Sequence, residues 1–118
     1  MGSASYTYRA QIVRWLDGDT VAVSVDLGFQ ISSLQTVRIY GVNCPESHGA
    51  TKAAGLAAKA FSEALAAPGT TVAVKSYKDG SEKFGRWLAT IVTDAGKDVA
   101  AELIHAGHGC EYHGERRS

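Results

Sequence analysis

The stretch W-L-D-G-D-T-V-A-V-S-V, Trp15 to Val25, holds a turn and a strand from which the neighbouring elements can be read. Asp17-Gly18 is a hairpin signal, because Gly tolerates positive φ and Asp bonds its own backbone. From Thr20 to Val25 apolar and small polar residues alternate with the period of a strand. Upstream, Tyr6 to Leu16 predicts its partner, with Tyr6, Tyr8, Ala10, Ile12 and Arg14 on one face and Val13 and Trp15 on the other. Downstream, Gly28 to Ser33 reads as a loop and Gln35 to Val42 as a third strand, completing a meander.

An Ala-rich segment follows, Thr51 to Ala67, with strong helix propensity and Pro68-Gly69 to end it. Ala57, Phe61, Ala64 and Leu65 share a helical face and are the expected core contacts. Thr71 to Ser76 predicts a fourth strand, 78–83 a polar loop, and Trp87 to Thr93 a fifth strand. Val99 to His105 predicts a short helix stopped by Gly107, and the tail from Gly109 has no periodicity. The order β-β-β-α-β-β-α is that of an α+β protein built on a five-stranded OB-fold barrel. A single domain over 6–113 is expected, with 1–5 as an N-terminal extension and 114–118 as a C-terminal tail.

Composition narrows the function. With 45% apolar and 20% charged residues among 118, the chain is an ordinary globule and not a disordered one. Twelve Lys and Arg balance twelve Asp and Glu. That balance argues against a protein that coats duplex DNA by charge, since non-specific affinity needs a positive excess. It still permits a local grip on one or two phosphates. No apolar run approaches the roughly 20 residues that span a bilayer, and the start lacks the pattern of a secretory signal. A cytoplasmic location is therefore expected, where Cys44 and Cys110 would stay reduced.

Four clusters contain residues suited to chemistry. Asp17-Gly18-Asp19-Thr20 reads plainly as a turn with capping carboxylates, and Asp19 at a strand start also suits a hard cation such as Ca²⁺. In V-R-I-Y-G-V-N-C-P-E, Val37 to Glu46, an Arg interrupts an apolar strand that runs into a Pro-containing loop bearing Glu46. Arg38 is either solvated on the outer face or paired, because an unpaired charge among apolar residues is costly. In E-K-F-G-R-W, Glu82 to Trp87, Arg86 offers a guanidinium suited to bidentate phosphate contact, or simply completes a charged turn. His105, His108, Cys110 and His113 are residue types that Zn²⁺ accepts, but their spacing matches none of its usual arrangements.

Taken in this order, the blocks D-G-D-T, V-R-I-Y-G-V-N-C-P-E, E-K-F-G-R-W-L-A and G-K-D-V-A-A-E-L-I-H-A-G resemble the staphylococcal nuclease (thermonuclease-like) family. The similarity covers about residues 6 to 109, and the short form is similar to phage- or prophage-encoded members. The resemblance implies a hydrolase, an endonuclease that cuts DNA or RNA at unpaired stretches and leaves 3′-phosphates. It implies one Ca²⁺ held by Asp19, the side chain of Asn43 and the backbone carbonyl of Cys44. It implies Arg38 and Arg86 on the scissile phosphate and Glu46 as the group that takes a proton from, or orients, the attacking water. Lys83 and Phe84 match positions that flank bound nucleotide, and Tyr112 approximates a tail tyrosine near the site.

One position departs from the family. Where its second metal carboxylate stands, this chain has the neutral Asn43. Ligand charge sets Ca²⁺ affinity, so weaker binding with surviving activity is the expected outcome. A shifted metal preference and an inactive site are the other two. The rival reading is a silent OB-fold module that binds single-stranded nucleic acid, with Phe84, Trp87 and Tyr112 as stacking surfaces. The retained set of Asp19, Arg38, Glu46 and Arg86 favours the enzyme.

Overall fold

The computed structural model describes residues 5–47, 49–81 and 87–112, with the backbone alone for 5, 6, 77–81 and 112. Five strands close into a barrel in the order β1-β2-β3-β6-β5, where β1 is Ser5–Asp17, β2 Thr20–Gly28, β3 Ile31–Ile39, β5 Thr71–Ser81 and β6 Trp87–Thr93. β1 reaches around to pair antiparallel with both β2 and β5, and only β3 and β6 run parallel. Two short strands, β4 (Gly41–Asn43) and β7 (Cys110–Tyr112), form a separate ladder. Helix α1 (Lys52–Leu65) follows a 3₁₀ turn, and α2 (Val99–His105) packs against β6, β4 and α1. This is the mixed five-stranded barrel with two helices that the element order predicts.

Alternation explains the core. Val21, Val23 and Val25 of β2 point inward with Val37 and Ile39 of β3, and Val72, Val74, Ala89 and Ile91 close the far side. Each Val or Ile so enclosed contributes about 1.5–3 kcal/mol relative to exposure. α2 is capped by Asp98, whose carboxylate accepts hydrogen bonds from the amides of Ala100 and Ala101, and it adds Val99 and Leu103 to the core.

Several expectations shift in detail. On β1, Val13 is an extra residue between the pairs Ile12–Val23 and Arg14–Ala22. That bulge inverts the phase, so Trp15 joins Ala10 and Ile12 inside while Val13 and Arg14 face out. The third strand starts earlier than expected and breaks after Ile39, at Tyr40 and a Gly41 with φ of 93°. β5 extends to Ser81 where a loop was expected, and β7 forms in the tail. The expected loop at 28–33 is instead a tight hairpin, with Gly28 opposite Ile31.

The two linking residues of that hairpin, Phe29 and Gln30, have φ of 55° and 63°. Two positive values in a two-residue connection match the twist of the flanking strands, but Asn-Gly is the pair suited to them. A side chain in the left-handed region costs roughly 1–2 kcal/mol. Phe29 is 96% exposed and recovers none of this by packing. Phe29→Asn with Gln30→Gly is therefore expected to raise stability by about 1 kcal/mol, seen as a higher urea midpoint at unchanged slope. An unchanged or lower midpoint would show that the turn is not strained.

Candidate active site

The turn between β1 and β2 is built by the helix that lies on it. Gly18 sits so close to α1 that an added Cβ would fall 2.8 Å from the Ala58 Cβ. Ser62, fully buried, donates its hydroxyl to the Gly18 carbonyl at 2.7 Å, and Trp15 Nε1 donates to the Ala66 carbonyl at 2.8 Å. The helix therefore presents small residues: Gly55, Ala58 and Ser62 are buried, with Phe61 and Leu65 partly so. The expected contacts Ala57 and Ala64 are exposed. Apolar periodicity found Phe61 and Leu65 but missed Gly55, Ala58 and Ser62, because that part of the face meets backbone, and backbone contact selects for small side chains.

The same turn anchors the loop after β4. Asp17 Oδ1 accepts from the Ser47 amide at 3.0 Å and from its hydroxyl at 2.5 Å. Thr51 donates to the Glu46 carbonyl at 2.8 Å. Gly55 of α1 lies directly against that segment, leaving no room for a side chain. The Glu46 backbone is thus held from the turn, the 3₁₀ segment and the helix together, while its side chain is exposed.

At the centre is Asp19, 5% exposed. Its carbonyl accepts from the Ile39 amide at 2.8 Å, and Thr20 pairs with Arg38 across the ladder, so the register of β2 on β3 brings Arg38 to it. Asp19 Oδ2 accepts from the Cys44 amide at 2.9 Å and lies 3.5 Å from Arg38 Nη2. The same nitrogen donates to Asn43 Oδ1 at 2.7 Å. Thr20 Oγ1 donates to Asp19 Oδ1 at 3.2 Å. Burial raises the Asp19 pKa above its ordinary value, outweighing the Cys44 amide, the Arg38 charge and the Thr20 hydroxyl, which all favour the carboxylate.

Beside this cluster opens a cavity of about 490 Å³, lined by Asn43, Cys44 and Glu46 and by Gly107, His108 and Gly109 among others. Asp19 thus contacts Arg38 and the Cys44 amide, and Arg38 contacts Asn43; Glu46 shares the cavity with Asn43 and Cys44, while Asp19 and Arg38 stand behind its lining. Arg86, Lys83 and Phe84 lie outside the described residues. Tyr112 pairs with Gly41 through its backbone, in the ladder that also pairs Asn43 with Cys110.

Two of the histidines near the C-terminal end are put to other uses. His108 packs its ring 4.9 Å from that of Phe61, and His105 ends α2. Among the described residues no group of three or more His, Cys, Asp and Glu side chains is arranged to hold a metal ion; His113 lies outside them. Cys44 is buried beside the Asp19 charge, and burial, reinforced by that charge, pushes its thiol up to about 12. Only thiolate reacts readily. With iodoacetamide at pH 8 the native protein is expected to gain one adduct, on the exposed Cys110, and a second on Cys44 only in denaturant. Equal labelling rates, read by mass spectrometry, would contradict this burial.

The sequence from residue 36 to 117 matches the model of the staphylococcal nuclease homologue family. The chain belongs to this family. Endonuclease YhcR of Bacillus subtilis (strain 168) is 25% identical over 118 residues, an alignment taking in 93% of this chain. The chain spans 9% of that relative's length. Family membership fits the barrel; Arg38, Asn43 and Cys44 of the cluster lie within the matched residues, and Asp19 precedes them.

The donor set expected for Ca²⁺ can be weighed against these contacts. Ca²⁺ takes about six to eight oxygens, and anionic ones set its affinity. Asp19 is the one carboxylate of the set, and its Oδ2 already receives the Cys44 amide. The Asn43 oxygen receives Arg38, a cation, at 2.7 Å. With Arg38 so placed, the set does not fit a tightly held divalent ion.

Proposed function

We propose that this chain is a nuclease that hydrolyses phosphodiester bonds in single-stranded or unpaired DNA or RNA, acting as an endonuclease. The observation that supports it is the contact of Arg38 with both Asp19 and Asn43, next to a cavity that Asn43 and Glu46 line. Phosphodiester cleavage asks chiefly for positioning and for charge stabilisation in the transition state. Arg38 grips a phosphate oxygen, and Arg86 is assigned the second such contact. Glu46 accepts a proton from water as the water oxygen bonds to phosphorus. The bond to the 5′ oxygen breaks, that oxygen takes a proton from solvent, and a 3′-phosphate remains. Asp19 orients Arg38 and, through the Cys44 amide, fixes the start of the Glu46 loop. Lys83, Phe84 and Tyr112 are assigned to the flanking nucleotides.

The neutral Asn43 favours a second reading, a module that binds unpaired nucleic acid without cutting it. Incubation with end-labelled single-stranded DNA and RNA, in Ca²⁺, in Mg²⁺ and in chelator, separates the two. Shortened products that disappear in a Glu46→Gln control support the nuclease. Retarded but intact substrate under every condition supports the module instead.

A further inference from the structure

We propose that Asn43 is a positioning residue for Arg38, and that the guanidinium, in place of a tightly bound divalent cation, supplies the positive charge of this site. The inference rests on the nuclease reading of the same cluster and specifies how it holds phosphate.

Two acceptors meet one nitrogen. Arg38 Nη2 is 2.7 Å from Asn43 Oδ1 and 3.5 Å from Asp19 Oδ2. The shorter contact is to the neutral group. An amide oxygen fixes the direction of a guanidinium without cancelling its charge, whereas a carboxylate there would make an ion pair. The trio Asp19, Arg38 and Asn43 has no net charge, and a second carboxylate would leave it at minus one. Neutral, it resists an approaching phosphate less than the anionic trio would. It also offers a divalent cation little, because the oxygens that would bind the ion are those that orient Arg38.

Backbone constraints keep the arrangement in place. Arg38 is set by its pairing with Thr20 and, on the other side, Leu88. Asn43 is set by its pairing with Cys110, and the next residue, Cys44, is tied through its amide to Asp19. Cation site and arginine support are therefore alternative uses of the same two side chains, and the residue at position 43 selects between them.

Calorimetric titration with CaCl₂ tests the cation half. The wild type is expected to bind with a Kd weaker than about 1 mM, and Asn43→Asp at least about tenfold more tightly. Anisotropy of a fluorescent oligothymidylate in EDTA tests the arginine half. Asn43→Ala and Asn43→Asp are each expected to bind at least about fivefold more weakly than wild type, and millimolar Ca²⁺ to restore Asn43→Asp alone. Thermal melts confirm that each variant is folded. Sub-millimolar Ca²⁺ binding by the wild type, no gain in Asn43→Asp, or unchanged oligonucleotide binding by Asn43→Ala would each overturn the proposal. Since every readout is binding, a chain that follows the pattern yet cuts nothing would retire the nuclease reading and leave this one standing. A chain that cuts while its wild type binds Ca²⁺ as tightly as the variant would do the reverse.

Discussion

Glu46→Gln is expected to slow cleavage of a single-stranded substrate by roughly 10²–10⁴-fold, the usual contribution of a general base. The substitution keeps size and polarity and removes the ability to take a proton. The side chain is exposed, so stability should move by no more than about 0.5 kcal/mol. Its backbone is held independently, by the Thr51 hydroxyl and by the Ser47 contacts to Asp17, so the loop should not shift. The loss should therefore appear in kcat with KM little changed, as expected for an interaction made only in the transition state. A slowing of less than about threefold would remove Glu46 from the reaction and leave proton transfer to bulk water.

The sequence and the structure agree most where a single local rule governs. Alternation from Thr20 to Val25, the breakers at Pro68-Gly69 and the limits of α2 are all as read, since no distant contact competes with them. Disagreement follows where tertiary contact overrides the local signal. The Val13 bulge inverts one face of β1, and nothing in the letters around it marks an extra residue. Phe29 and Gln30 carry no preference for positive φ, so their hairpin reads as a loop. β7 is a short strand that owes its existence to pairing with β4, and its own sequence does not announce it.

The site divides in the same way. Asp19, Arg38 and Glu46 stand out as charges in an apolar context and were legible in the chain. Their supports were not. Ser47 and Ser62 look like any surface serine, yet one ties the Glu46 loop to Asp17 and the other holds the Gly18 carbonyl. Asn43 is a weakened cation ligand by the family resemblance alone, and its contact with Arg38 depends on the placement of β4, which composition does not reveal.

Gly55→Ala is the largest structural effect expected. In an isolated helix the change would help, since Ala is favoured over Gly by about 1 kcal/mol. Here the new Cβ would fall 2.0 Å from the Glu46 carbonyl oxygen, 2.3 Å from its carbon and 2.5 Å from the Ser47 Cα. All three are backbone atoms, so no side chain can rotate aside. Either α1 lifts off the turn, straining the Ser62 and Trp15 bonds, or the Glu46–Ser47 segment moves and its tie to Asp17 breaks. A net loss of about 1–3 kcal/mol is expected by denaturant titration, the range for forcing extra atoms into a packed site. Among molecules still folded, cleavage should fall by up to about 10²-fold, because a displacement near 1 Å of a catalytic group costs that much. Ala57→Gly, on the exposed face of the same helix, separates propensity from contact: it should lose about 1 kcal/mol and leave the rate unchanged. If Gly55→Ala proved as stable as wild type, the helix could not lie against the Glu46 backbone. The coupling between the β1–β2 turn and the Glu46 loop would then have to run through Ser47 on Asp17 and the Cys44 amide on Asp19.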